Sequence, residues 1–215
     1  SFNSYLYSLG IAEQFLPDEY NLQNNQLTVP GTFVLSRMKS GEILSVYSDN
    51  IWDLSPYLPK CDCRLNFDSW LENARENDFL YCQIRAEMKK ISFALLYIKS
   101  GKSIIKSIEQ RHTVLRQFAA IAYKNGCTLQ QLFSDVAYMS KVNDAYVGVS
   151  YQKAIHIKAF LTDCFALQQQ YPLLIPAFSI YQPIEHLAKL AAQLRLQSGK
   201  VGPQTKLIPS RIYIN

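Results

Sequence analysis

Hydrophobic residues spaced three and four apart predict two long helices, one at residues 104–124 and one at residues 151–170. Residues at this spacing lie on one side of a helix, so each segment has a single apolar face. The apolar positions of the first segment are Ile104, Ile108, Leu115, Phe118, Ala119 and Ala122. Those of the second are Ala154, Ile157, Phe160, Leu161, Cys164 and Leu167. Both helices are expected to pack in a bundle and to leave a narrow polar face in solvent.

Three further segments have helical patterns. Residues 79–98 become apolar on all sides towards their end, which predicts a central helix. Residues 128–146 join the two long helices, and a helical pattern resumes at residues 182–197. The second half of the chain is therefore predicted to be a helical bundle over residues 76–198.

The first 75 residues have a different pattern. Two strands, at residues 32–38 and 43–47, flank a Gly-containing turn and predict a β-hairpin. Residues 1–16 fit either a short helix or a docked extended segment. Residues 48–57 resemble a turn-rich loop, and residues 68–74 the start of a short helix. The predicted fold is mainly α, a helical bundle preceded by a small β-hairpin segment.

Composition and charge narrow the function classes. With 215 residues and 48% hydrophobic residues, the chain can bury a substantial core. It has no apolar run long enough to cross a membrane, and its five cysteines are too few for a disulfide framework, which favours a reducing cytoplasm.

Positive charge is concentrated in the predicted bundle. Residues 1–75 contain five Lys and Arg against nine Asp and Glu, a net charge of −4. Residues 76–215 contain 17 against eight, a net charge of +9. This asymmetry favours an anionic partner for the bundle, and an ordinary solvated surface is the alternative.

Three motif fragments suggest chemistry, but each is incomplete. Residues 100–103 resemble the end of a phosphate-binding loop, yet Leu96 stands where that motif requires Gly. Cys61 and Cys63 lack the second ligand pair of a structural zinc site. The three histidines have no metal-binding spacing, and no nucleophile-elbow motif is present. We therefore predict no catalytic residue, metal site or cofactor.

The polar faces of the two long helices are the best candidate site. Lys and Arg can neutralise phosphates, helix N-termini supply amide donors, and Gln and His can reach base edges. The polar positions are Lys102, Lys106, Gln110, Thr113, Gln117 and Lys124 in the first helix, and Gln152, His156, Ala159 and Asp163 in the second. The predicted DNA-binding residues are Lys102, Lys106, Gln110, Arg111, Gln152, Lys153 and His156. We expect the openings of both helices to form one DNA-facing surface.

The order of segments resembles the upstream half of tyrosine-recombinase integrases of bacterial mobile elements. It comprises a Trp-bearing turn at residues 45–57, a helical bundle, and a Pro/Lys-containing linker that leads to Ile208-Pro209-Ser210-Arg211-Ile212-Tyr213. Residues 103–170 are similar to the SAM-like core-binding domain of that family. The resemblance implies a domain at residues 76–198 that clamps double-stranded DNA, with residues 199–215 as a linker and other protomers as partners.

The catalytic motifs of that family are missing. Its active site requires an Arg, a His-x-x-Arg pair and a Tyr nucleophile. The third residues after His112, His156 and His186 are Leu115, Ala159 and Lys189. We therefore expect a chain that stops before the catalytic domain and binds DNA without cleaving it. The alternative is a helical protein–protein interaction module with no nucleic-acid role.

Overall fold

A computed structural model describes most of the chain. The described residues are 1–24, 26–58, 61–72, 77–99, 104–135, 137–138, 142, 149–172, 189, 192–193 and 196–197, with the side chains of 104–106 excluded. The helices are α1 (Phe2–Ser8), α2 (Phe79–Tyr97), α3 (Ile104–Lys124), α4 (Leu129–Ser134) and α5 (Tyr151–Gln170). The strands are β1 (Val34–Arg37), β2 (Ile43–Val46), β3 (Ile51–Asp53) and β4 (Arg64–Asn66). The prediction of a mainly helical chain with a small β segment is confirmed.

The long helices begin at side-chain caps. The carboxylate of Asp78 accepts hydrogen bonds from the first-turn amides of α2, and Ser150 does the same for α5. The bounds of α3 and α5 match those predicted. The α4 helix begins at a capping box formed by Thr128 and Gln131 but ends at Ser134. It is therefore shorter than the predicted helix over residues 128–146, most of whose second half lies outside the described residues, as does most of the predicted helix at 182–197.

Side-chain contacts fix the directions of the three long helices. Near the end of α3, the Tyr123 hydroxyl donates to the carboxylate of Asp78 at the start of α2. The rings of Phe118 and Phe160 stack with their centroids 5.7 Å apart. One helical stretch towards the start of α3, Arg111 bonds Asp163, which lies further along α5. These contacts show that α3 runs antiparallel to both α2 and α5.

The β segment contains two hairpins rather than one. The predicted β1–β2 hairpin is confirmed, with irregular register. A second antiparallel pair joins β3 to β4, with Trp52 opposite Leu65. The prediction of a loop over residues 48–57 was wrong because three-residue strands are too short to show alternation. Their backbone pairing is fixed instead by burial of Trp52 and Leu65, both 0% exposed.

Two local predictions at the N-terminal side are settled. Residues 2–8 form a helix, α1, whose first turn is capped by the Ser1 hydroxyl and whose Phe2 is buried. The described part of the predicted helix start, residues 68–72, consists of turns and bends. That prediction was wrong because the Asn66 side chain accepts the amides of residues 68 and 69 and closes a turn.

The hairpins and the helices share one hydrophobic cluster, which extends from Phe2 to Leu167. Phe93 at its centre makes ring contacts with Tyr20, Phe33 and Tyr47 from the first third of the chain. The domain boundary at residue 75 remains a prediction. Among the described residues, no helix is both long and apolar enough to span a bilayer.

Candidate nucleic-acid interface

The exposed face of α3 is a line of polar positions that runs the length of the helix. Lys124 and Gln110 are exposed on it, and Thr113 lies between them. Residue 106 is 18 positions before Lys124, which is five helical turns, so both positions fall on the same line about 27 Å apart. Lys106 belongs to α3, but its side chain lies outside the described residues, as does all of Lys102. Glu109 is also exposed, beside this line.

Arg111 does not lie on this face. Its Nε is 2.8 Å from Oδ2 of Asp163, and its side chain is only 14% exposed. The other carboxylate oxygen of Asp163 is 2.5 Å from Nζ of Lys99 at the end of α2. Asp163 thus joins three helices through two half-buried cations. The charge of Arg111 is used within the fold, and the sequence gave no sign of this because its partner is 52 positions away.

The antiparallel packing separates the two helix openings that we expected to form one surface. The start of α3 lies at the end of the bundle where α2 and α5 finish, and α5 starts at the other end. From the level of Arg111 and Asp163, the two starts diverge by seven and 12 residues, or about 28 Å in total. Gln152 and Lys153 are exposed and His156 is half-buried at the start of α5. The structure brings them to the end of the bundle where α3 finishes at Lys124.

Arginines and lysines have different roles in the described chain. Each described arginine bonds another residue: Arg37, Arg64, Arg85, Arg111 and Arg116. By contrast, Lys124, Lys153 and Lys158 are exposed and form no ion pair with any residue that the structure describes. Lysines at the end of the bundle are therefore the cations available to an external anion.

The motif fragments remain without chemical support in the described part of the chain. The segment before residues 100–103 is the helix α2, whereas a phosphate-binding loop follows a strand. Residues 100–103 themselves lie outside the described residues. Cys61 is exposed and Cys63 is buried. Among the described residues, no three His, Cys, Asp or Glu side chains are grouped to hold a metal ion.

His112 is a buried structural residue. Its Nε2 lies 2.8 Å from the carbonyl oxygen of Asn66, and its ring packs edge-on against Phe67. The neutral ring therefore donates from Nε2 and joins α3 to the second hairpin. Burial, together with the nearby Arg116 charge, lowers the pKa of His112 to about 4.

The pKa of His112 predicts an acid-sensitive fold. The unfolded chain binds a proton near pH 6.5, whereas the folded chain does so only near pH 4. Stability should therefore be full above pH 6.5 and decrease by about 3 kcal/mol as the pH falls to 4. Urea titrations at several pH values would measure this loss. The His112→Gln variant should lose this part of the pH dependence, while His156→Gln should retain it. An unchanged pH dependence in His112→Gln would contradict the assignment.

Comparisons with protein-family models, with curated proteins and with solved structures found no match for this chain. The candidate interface is therefore argued from the geometry of the bundle and from the sequence.

Proposed function

We propose that this chain is the DNA-binding portion of a site-specific tyrosine recombinase of the integrase type. In this proposal the helical part is a SAM-like core-binding domain that clamps double-stranded DNA in the cytoplasm without cleaving it. DNA lies along the outward face of α3. The Lys124 end of that face is extended by Gln152 and Lys153 of α5.

One observation carries the proposal: the exposed line of α3 has a lysine position at each end and uncharged polar residues between. Its length of about 27 Å is shorter than one helical repeat of DNA, about 34 Å, so both ends can meet phosphates of one duplex. Gln110 is placed between them, where a side chain can contact sugar, phosphate or a base edge. Lys102 and Lys106 remain predicted phosphate contacts, and Arg111 is replaced by Lys124.

Salt dependence tests the DNA proposal. Each lysine–phosphate contact releases counterions, so affinity should fall with a logarithmic slope of about −0.9 per contact. With three contacts, binding to a duplex of about 30 base pairs should weaken roughly 40-fold between about 50 and 200 mM salt. Fluorescence anisotropy measures this directly. Binding that is absent at low salt, or independent of salt, would contradict the proposal.

The absence of cleavage is a separate expectation. The chain incubated with labelled DNA should yield no nicked strand and no covalent phosphotyrosine adduct after denaturing electrophoresis. Either product would contradict the non-cleaving role, even if the chain bound DNA as expected.

A protein–protein module is the second candidate, and exposed apolar side chains favour it. Those in the first 80 residues are Tyr7, Leu9, Met38, Ile43, Ile51 and Phe79. These positions lie outside the α3 face. Salt-insensitive binding to a protein, without DNA binding, would select this function instead.

A further inference from the structure

A groove of about 300 Å³ opens beside the turn that follows α1. Its apolar lining comprises Ile11, Ala12, Phe15, Met38, Pro56 and Tyr57. Met38 is 41% exposed although it is apolar. The charged lining residues are Arg37 and Lys39, and no carboxylate lines the groove within the described chain. The chemistry of the groove therefore fits an apolar side chain that is carried by an acidic segment.

Phe79 is the most exposed large hydrophobic residue that the structure describes. It stands at the first position of α2 and is 82% exposed. The segment before it contains Glu72, Glu76 and Asp78 against the single cation Arg75. An exposed aromatic ring on an acidic segment complements a basic, apolar groove in both shape and charge.

Phe79 cannot reach the groove of its own chain. The ring of Phe2 contacts Tyr57 of the groove and Tyr97 at the end of α2. Phe79 lies at the opposite end of that helix, 18 residues and about 27 Å away. We propose that Phe79 of one copy inserts into this groove on a second copy, with the acidic segment against Arg37 and Lys39. The chain thereby self-associates through a surface separate from the α3 face.

Sedimentation of the full chain without DNA tests this contact. The parent should show concentration-dependent self-association. Phe79→Ala removes the inserted ring, and Met38→Asp removes an apolar wall and repels the acidic segment. Each should raise the dissociation constant at least about tenfold, as expected for a central anchor. Ile51→Ala, which truncates an exposed residue outside the groove, should associate like the parent.

A mixing experiment separates this contact from other modes of association. The Phe79→Ala chain retains an intact groove, and the Met38→Asp chain retains an intact Phe79. A mixture of the two should therefore associate even though neither does so alone. Circular dichroism of each variant checks that the fold is kept.

Two results would overturn the proposal. One is a parent chain that remains monomeric at every concentration. The other is loss of association in Met38→Asp but not in Phe79→Ala, which would assign the groove to a different segment. The test uses no DNA, so its failure is distinguishable from failure of the proposed DNA binding.

Discussion

Phe93→Ala should destabilise the fold by about 4 kcal/mol, because it removes a fully buried aromatic ring and leaves a cavity. Phe93 stacks on Tyr97 with a centroid distance of 4.4 Å and contacts three further rings edge-on. The variant loses ring contacts with both halves of the chain at once. Urea denaturation measures the loss, and Phe79→Ala is the matched control. It makes the same change on the same helix at an 82% exposed position and should shift stability by less than about 0.5 kcal/mol.

The same denaturation experiment tests whether the two parts of the chain unfold together. Both tryptophans, Trp52 and Trp70, lie in the first 75 residues and report on that part by fluorescence, whereas circular dichroism reports mainly on the helices. Since residues of both parts share one hydrophobic cluster, the two signals should change at the same urea concentration. Two separate transitions would instead support independent domains divided near residue 75 and would contradict the shared core.

Asp163→Ala should cost about 3 kcal/mol, because it leaves two half-buried cations without their partner. The carboxylate bonds Lys99 and Arg111 and is itself 15% exposed. Removal of one member of such a set costs more than the intact set contributes, since the remaining charges stay desolvated. Thermal and urea unfolding would measure the effect.

The control for Asp163 is Glu109→Ala, which deletes an exposed carboxylate from α3 and should change stability by less than about 0.5 kcal/mol. Asp163→Asn should be intermediate, because the amide oxygen can still accept one hydrogen bond. If Asp163→Ala were as stable as the Glu109 variant, the ion pairs would contribute nothing to the packing of the three helices.

The helices were predictable where one apolar face determined them. The pattern from Ile104 to Lys124 repeats over nearly six turns, and α3 has the predicted bounds. The β3–β4 hairpin was not predictable, because its pairing depends on burial of Trp52 and Leu65 against distant residues. Periodicity identifies which face is buried, but it does not reveal which helices run antiparallel.

The candidate site was predictable only in part, for the same reason. A helical pattern correctly placed Gln110 on the exposed face of α3. It could not show that Arg111 would be bonded to Asp163, since this partner belongs to another helix. It also could not show that the start of α5 lies beside the end of α3, which brings Lys124 into the proposed interface.

The α3 face is tested most directly by the salt dependence of DNA binding in a lysine double variant, Lys106→Ala with Lys124→Ala. If both lysines contact phosphates, the double variant should bind more weakly on every sequence, and its salt slope should fall by about two units. Lys39→Ala removes an exposed lysine from the first 75 residues and should bind like the parent. A double variant with the parent's affinity and slope, together with weaker binding in Lys39→Ala, would contradict the account and move the interface to the other part of the chain.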